Sequence, residues 1–314
     1  MPALAGPVRG IAIVVGLIGL TILGGIPLVP ASIVKLALPP GRARDRATDV
    51  VLGIAKAWAR GSNGLIFGIS GTRLRYQQQM ADDPDGRYVL ISNHQCWADV
   101  MLLIRAIDPQ LPFPRFFIKE QLRWLPVIGL ACWALDFPFM KRHSRAAIEK
   151  HPELRNEDMH AVRRACEVFR RQPVSLVNYA EGTRSTPAKR AAANSPYRTL
   201  LPPKAGGTAF AVNAMRDVLD GILDMTVAYI DTPEPKFWDV LCGRIPEVAV
   251  RVRYLAVPPE LADGDYGADP QYRDRFKAWL GELWAAKDAE VAAIQDPENP
   301  QRAFHDLATG GHHA

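Results

Sequence analysis

The segment Gly10 to Val34, GIAIVVGLIGLTILGGIPLVPASIV, runs 25 residues without a charge. As a helix it is long enough to cross a hydrocarbon core of about 30 Å. No face of it is polar, which disfavours a core helix of a soluble body. Pro27 and Pro30 predict a kink or stop near Ile26, because proline removes a backbone donor and clashes with the preceding turn. A second apolar segment, Val51 to Ile69, is interrupted by Lys56 and Arg60. Two arrangements satisfy this pattern: one spanning helix, or a hairpin that dips into one leaflet and turns at Pro27 and Pro30. A cleaved leader fits less well, since the start has little basic character and no clean small-residue cleavage site. Lys35, Arg42, Arg44 and Arg46 follow the apolar run, and the positive-inside tendency puts them and the body on the cytoplasmic side. Residues 1–70 are therefore expected to form a membrane-anchoring helical segment.

After Gly71 the pattern becomes that of a globular α/β body. RYVLIS (Arg87–Ser92), RFFIK (Arg115–Lys119), PVSLVNYAEGT (Pro173–Thr183) and MTVAYID (Met225–Asp231) read as strands. VAVRVRY (Val248–Tyr254) alternates apolar and polar positions, the pattern of a half-exposed strand. CWADVMLLIRAI reads as helix after the first strand. Asn156 is placed to cap another helix, on which Met159, Val162, Cys166 and Phe169 share a face. Tyr272, Phe276, Trp279, Leu280, Leu283 and Trp284 form the apolar stripe of a long amphipathic helix. The expected fold is α/β, a helix-covered mixed β-sheet over residues 71–295, preceded by the membrane-associated helices and followed by a mobile tail, 296–314. Alternating strands and helices place ligand sites beyond the strand ends.

Composition narrows the function classes. The net charge of +5 favours anionic partners. Between Lys141 and Leu200 there are 13 Lys and Arg against 6 Asp and Glu, so the excess is local. Aromatic residues are not interleaved with it as a base-stacking platform would need, which argues against nucleic acid. The four cysteines have no paired spacing and no Cys/His cluster has zinc-ligand spacing, so neither disulfides nor a bound metal are expected.

Two short stretches carry chemistry. In ISNHQCWADV, His94 and Asp99 are five apart, about 140° around a helix, and cannot face each other within one. They can meet if His94 sits in the turn leaving the strand and Asp99 in the next helix. The carboxylate would then hold Nδ1–H and leave Nε2 as a general base. No G-x-S-x-G nucleophile elbow occurs, so the base would act on a substrate hydroxyl. Taken alone, a histidine after a strand is more often structural. In AEGTRS, Gly182 permits an unusual turn, and Glu181 and Arg184 stand at a strand mouth. They read either as an ion pair in a turn or as an anion site.

Together these stretches resemble the glycerolipid acyltransferases. NHQCWAD matches the family's N-H-x-x-x-x-D signature, and EGTRS its third element. KEQLRWLPVIGLACWALDFPFMKR is similar to the intervening basic-to-Arg stretch, with Arg142 at its end, and LPPKAGGTAFAV to the Lys-x-Gly segment that follows. Tyr179 and Ala180 replace the family's Phe-Pro, and Ala228 stands where a proline is common in the fourth motif. The nearest pattern is that of bacterial 1-acylglycerol-3-phosphate acyltransferase-like proteins with N-terminal membrane helices.

The resemblance implies transfer of a fatty acyl group from acyl-CoA or acyl-carrier protein to a lysophospholipid hydroxyl, with 1-acylglycerol-3-phosphate the expected acceptor. His94 would be the base and Asp99 its orienting group. Arg184, helped by Arg142 and Lys119, would bind the acceptor phosphate. Glu181 and Thr183 would position the loop, Gly182 let the backbone approach, and Asn93 shape the turn. No cofactor is implied beyond the acyl-donor co-substrate. The location implied is the bacterial inner membrane, with the body facing the cytoplasm. A thioesterase or lipid hydrolase using the same pair, an acyltransferase for another lipid, and a non-catalytic membrane scaffold stay open, as does the oligomeric state.

Overall fold

The computed structural model describes residues 2–80, 82–141, 166–296 and 298–299. Its first element, α1 (Pro2–Ala37), runs through Pro7, Pro27 and Pro30 without breaking, so the stop expected near Ile26 does not occur. Packing holds the second half of the helix in place. Gly25 lies against Val127, and Lys35 binds both the Ala134 carbonyl and the Asp136 carboxylate, the latter at 2.7 Å. The chain turns instead at residues 38–41, where Gly41 has φ +147°. It returns as α2 (Arg42–Asn63), extended by a π-helical turn, Gly64–Gly68. The two helices form a hairpin pinned by Trp58 Nε1 donating to Thr21 Oγ1 at 3.1 Å.

Among the described residues the main sheet has six strands: β1 (Arg73–Gln79), β2 (Arg87–Ser92), β3 (Pro114–Phe116), β6 (Val174–Tyr179), β7 (Gly221–Tyr229) and β8 (Glu247–Leu255). Their spatial order is β1-β8-β7-β2-β6-β3. A separate pair, β4 (Ile118–Lys119) and β5 (Phe139–Met140), stands apart. RFFIK, expected as one strand, is therefore split between two sheets. β1 was not foreseen. RLRYQQQ has no apolar run because it is an edge strand, and a polar edge discourages pairing with other chains. Strands β3, β6, β2 and β7 are mutually parallel, while β8 runs antiparallel to β7.

Alternation sorts side chains to the two faces. Tyr88 and Leu90 of β2 join a core with the buried side of α1, with α2, and with α3 (Ala98–Ile107). Val89 and Ile91 join a second core with α6 (Ala205–Met215) and α9 (Pro270–Gln295). Four further helices within the described residues are short: α4 (Ile128–Ala134), α5 (Pro187–Ala192), α7 (Phe237–Leu241) and α8 (Pro259–Ala262). Of the helix expected after Asn156, residues 156–165 lie outside the described residues. Cys166 and Phe169 are helical and buried in the second core. The stripe read on α9 is buried at Tyr272, Phe276, Leu280, Leu283 and Trp284. The same face continues into Lys287 and Asp288, which are buried too.

Lys287 is fully buried 2.6 Å from Asp224 Oδ1, and Arg253 sits 2.8 Å from the other Asp224 oxygen. Burial pulls the Lys287 ammonium below its ordinary pKa, and Asp224 opposes that pull. Removing one partner of such a pair strands the other charge. Asp224→Ala should therefore cost about 3–5 kcal/mol in denaturant unfolding. Adding Lys287→Met should recover a large part of that loss. Additive losses in the double variant would contradict the pairing.

Candidate active site

β2 and β6 pair so that Ser92 stands opposite Tyr179, and β2 and β7 so that Ser92 stands opposite Met225. The His94 loop and the Glu181 loop thus leave neighbouring parallel strands one residue beyond the same register point. Asn93 extends the sheet with its side chain: its amide donates to the Val227 carbonyl at 2.8 Å and accepts from the Val227 N–H at 2.9 Å. The loops are also joined directly. The His94 N–H donates to Glu181 Oε1 at 2.9 Å, and the Ser185 N–H to the His94 carbonyl at 2.7 Å.

His94 lies outside α3 and Asp99 in its first turn, and they meet as the spacing required, with Nδ1 2.9 Å from Asp99 Oδ2. That oxygen also accepts from the Gln95 and Cys96 N–H groups at 2.6 and 2.9 Å, and Oδ1 accepts from the Tyr229 hydroxyl at 2.5 Å. A carboxylate held on both oxygens cannot rotate away, so it selects the Nδ1–H tautomer and leaves Nε2 as the basic nitrogen. The imidazole stacks on Tyr179, with ring centres 4.1 Å apart, and meets the edge of Trp97 at 6.5 Å. It is 12% exposed, enough for a substrate atom to reach.

Glu181 is buried, and its second oxygen accepts from the Leu201 N–H at 2.9 Å. Burial pushes its carboxyl up to about 7, against the pull of those two N–H donors. Gly182 takes φ +68°, which side chains rarely adopt, with the Lys204 side chain against it. Thr183 Oγ1 accepts from Lys189 Nζ at 2.7 Å, and the same ammonium donates to the Arg184 carbonyl. Arg184 is exposed, its guanidinium 5.1 Å from the centre of the Trp97 ring. A cation held by an aromatic face and open to solvent suits an anion close to His94.

Not every expected residue joins this cluster. Lys119 is exposed on β4, in register with Met140, and among the described residues no hydrogen bond or ion pair links it to His94 or Arg184. Arg142 lies outside the described residues. Tyr229, Tyr179 and Trp97 were not foreseen. Tyr229 was legible in principle, because strand alternation puts it on the same face of β7 as Val227, the partner of Asn93. Burial pushes the Cys96 thiol up to about 12, so it is held as a thiol and is a poor nucleophile. Among the described residues no group of three His, Cys, Asp or Glu could hold a metal ion.

The acyltransferase family model matches residues 64–230, more than half the chain, and spans both loops. The chain belongs to the acyltransferase family. Within it, the chain is 23% identical over 235 residues to the mouse 1-acyl-sn-glycerol-3-phosphate acyltransferase epsilon, covering 68% of this chain and 60% of that one. It is 28% identical over 184 residues to the 1-acyl-sn-glycerol-3-phosphate acyltransferase 2 of Brassica napus, covering 55% and 42%. This acyltransferase-family chain thus spans about three-fifths of the mouse protein's length and about two-fifths of the plant protein's. Its fold is that of the 1-acyl-sn-glycerophosphate (LPA) acyltransferase PlsC from Thermotoga maritima, with TM-score 0.53, 16% identity, and 91% and 97% of the two chains covered.

The raised Glu181 value has a stability consequence. Between the unfolded value of 4.5 and about 7 the native state binds the extra proton, so stability falls as pH rises through that window. The stability of wild type minus that of Glu181→Gln, from denaturant unfolding, should decline from pH 5 to 8 and level off above. A difference that grows over that range would contradict the buried-acid assignment.

Proposed function

We propose that this acyltransferase-family chain transfers a fatty acyl group from an acyl thioester to the hydroxyl of a lysophospholipid, 1-acylglycerol-3-phosphate being the acceptor its named relatives point to. The observation that carries this reading is the pairing of His94 Nδ1 with a fixed carboxylate, Asp99, beside the exposed cation Arg184. In the proposed reaction Nε2 takes the acceptor's hydroxyl proton while that oxygen attacks the thioester carbonyl. The tetrahedral intermediate expels the thiolate, which takes the proton back from the imidazolium. No acyl-enzyme forms and no cofactor takes part.

Arg184 holds the acceptor phosphate in this scheme. Lys119 and Arg142 are proposed as further phosphate contacts, although among the described residues no hydrogen bond joins Lys119 to the cluster. Asn93, Glu181, Gly182 and Thr183 act through the loops they hold and do not touch the reacting atoms. The donor is acyl-CoA or acyl-carrier protein.

The membrane reading also becomes sharper. α1 is apolar enough to cross a bilayer. Yet Arg9 near its start donates to the Ser70 carbonyl at 3.1 Å, while Lys35 near its end is paired with Asp136. These points lie about 39 Å apart along a helix, and both are fastened to the same body. Val8, Ile11, Val15, Ile18, Ile22, Ile26, Val29 and Ile33 form one exposed stripe along the opposite side. We infer that α1 lies in a single leaflet with this stripe in lipid, and that the body faces the cytoplasm, in a bacterium from the inner membrane. A lysolipid then reaches His94 without leaving the surface.

His94→Ala should lower acceptor-dependent thiol release from acyl-CoA by about 10²–10⁴-fold with the fold retained. Arg184→Ala should raise the acceptor KM about 10–100-fold and leave the donor KM nearly unchanged, the effect of losing a charged hydrogen bond to phosphate. Wild-type rates in His94→Ala would remove the mechanism, and an unchanged acceptor KM would remove the phosphate role. Thiol release that ignores the acceptor would mark a hydrolase.

A further inference from the structure

A concavity of about 420 Å³ opens at the same carboxyl-end edge of the sheet, between the ends of β7 and α9 and the loop before Leu200. Gln95 forms part of it, immediately after His94. Arg190, Arg198, Thr199, Asp231, Thr232 and Gln295 line the rest of its polar wall, two guanidiniums against one carboxylate. Gln95 fills an unspecified position of the N-H-x-x-x-x-D signature, while Arg190 and Arg198 lie outside the quoted motifs.

The arginines are mounted on fixed backbone. Arg190 Nη1 donates to Ser185 Oγ at 3.1 Å, and Ser185 is the residue whose N–H holds the His94 carbonyl. The Arg198 N–H donates to the buried Asp288 at 2.7 Å, which also accepts from the Thr199 and Leu200 N–H groups. The Arg198 side chain itself is exposed. Gln95 is the second, independent observation. It is 6% exposed, its N–H is committed to Asp99, and its side-chain Oε1 is buried with no hydrogen-bond partner among the described residues. A buried amide oxygen left unpaired costs free energy, and it calls for a donor that no described residue supplies.

A phosphate group and an amide N–H on one flexible arm that ends near His94 would satisfy all three features. Acyl-CoA and acyl-carrier protein share such an arm, phosphopantetheine: a thioester at one end, two amides along it, and a phosphate at the other. We propose that this cavity binds the phosphopantetheine arm of the acyl donor, with its phosphate on Arg190 and Arg198 and an amide N–H on Gln95 Oε1. The assignment rests on the proposed acyl transfer for its chemistry. It also separates the substrates, with the acceptor phosphate on the Trp97 side of His94 and the donor phosphate on the Gln95 side.

The test combines kinetics with direct binding to the full-length protein in detergent. Arg190→Gln/Arg198→Gln should raise the acyl-CoA KM about 10–100-fold, with the acceptor KM within twofold of wild type. Arg198→Gln alone keeps the test usable if Arg190 proves necessary for folding, because it is the Arg198 backbone that holds the loop. Gln95→Leu should raise the donor KM about 5–10-fold while Tm stays level or rises, since the change removes an unpaired buried polar atom. A merely structural glutamine would give a lower Tm. By calorimetry without acceptor, 4′-phosphopantetheine should bind wild type, and pantetheine, which lacks the phosphate, should bind at least tenfold more weakly. An acceptor KM that rises in place of the donor KM, or equal binding of the two compounds, would overturn the site. Binding needs no turnover, so an inactive protein that still prefers phosphopantetheine would refute the proposed function and keep the cavity assignment.

Discussion

The alignment of β2 with β6 and β7 is the constraint from which the site follows. A slip of one residue would turn every β2 side chain to the opposite core and carry the His94 loop away from the Glu181 loop. Two features lock that register. Val89 and Ile91 must face α6 and α9 while Tyr88 and Leu90 face α3, so the hydrophobic alternation allows one alignment. Asn93 then adds a two-way amide pair to Val227 just past the last strand residue. The result is a histidine whose backbone is held on both sides and whose ring needs only the Asp99 carboxylate to fix it.

Buried carboxylates organise the regions around it, each by gathering donors and not by meeting a single opposite charge. Asp99 collects the turn before α3 and reaches across to Tyr229. Glu181 ties the His94 loop to Leu201. Asp288, on α9, collects Arg198, Thr199 and Leu200, so the C-terminal helix is coupled to His94 through two successive carboxylate nests. Trp284 adds a bond from its indole N–H to the Leu201 carbonyl at 2.9 Å. Isolated buried carboxylates would be costly, but several N–H donors each make them stable anchors for loops that have no regular structure. At Glu181 burial still raises the carboxyl in spite of its two N–H donors.

Much of this was legible in the sequence, for identifiable reasons. The His94–Asp99 spacing excluded a shared helix and so located the histidine in the turn. The stripe on α9 and the apolar strands followed from periodicity. What periodicity does not encode was missed. RLRYQQQ is a strand because its neighbour β8 supplies the ladder, although its own composition is polar. Lys287 and Asp288 sit on the buried face of α9 because partners distant in sequence receive them. Pro27 and Pro30 stay within a helix because Gly25, Lys35 and the α4 region hold it on one side. Tyr229 reaches Asp99 only once β7 is placed beside β2. Long-range pairing decided each of these, and short-range pattern carries no record of it.

Among the described residues Nε2 of His94 makes no hydrogen bond, while the neighbouring Cys96 is held as a thiol. In the proposed reaction the acyl group passes directly from donor to acceptor. Rapid mixing of the protein with acyl-CoA in the absence of any acceptor tests it most directly, with released thiol followed on the millisecond scale. Direct transfer predicts no stoichiometric burst, and thiol appearing only when lysophosphatidic acid is added. A burst of one thiol per protein before acceptor is added would contradict it.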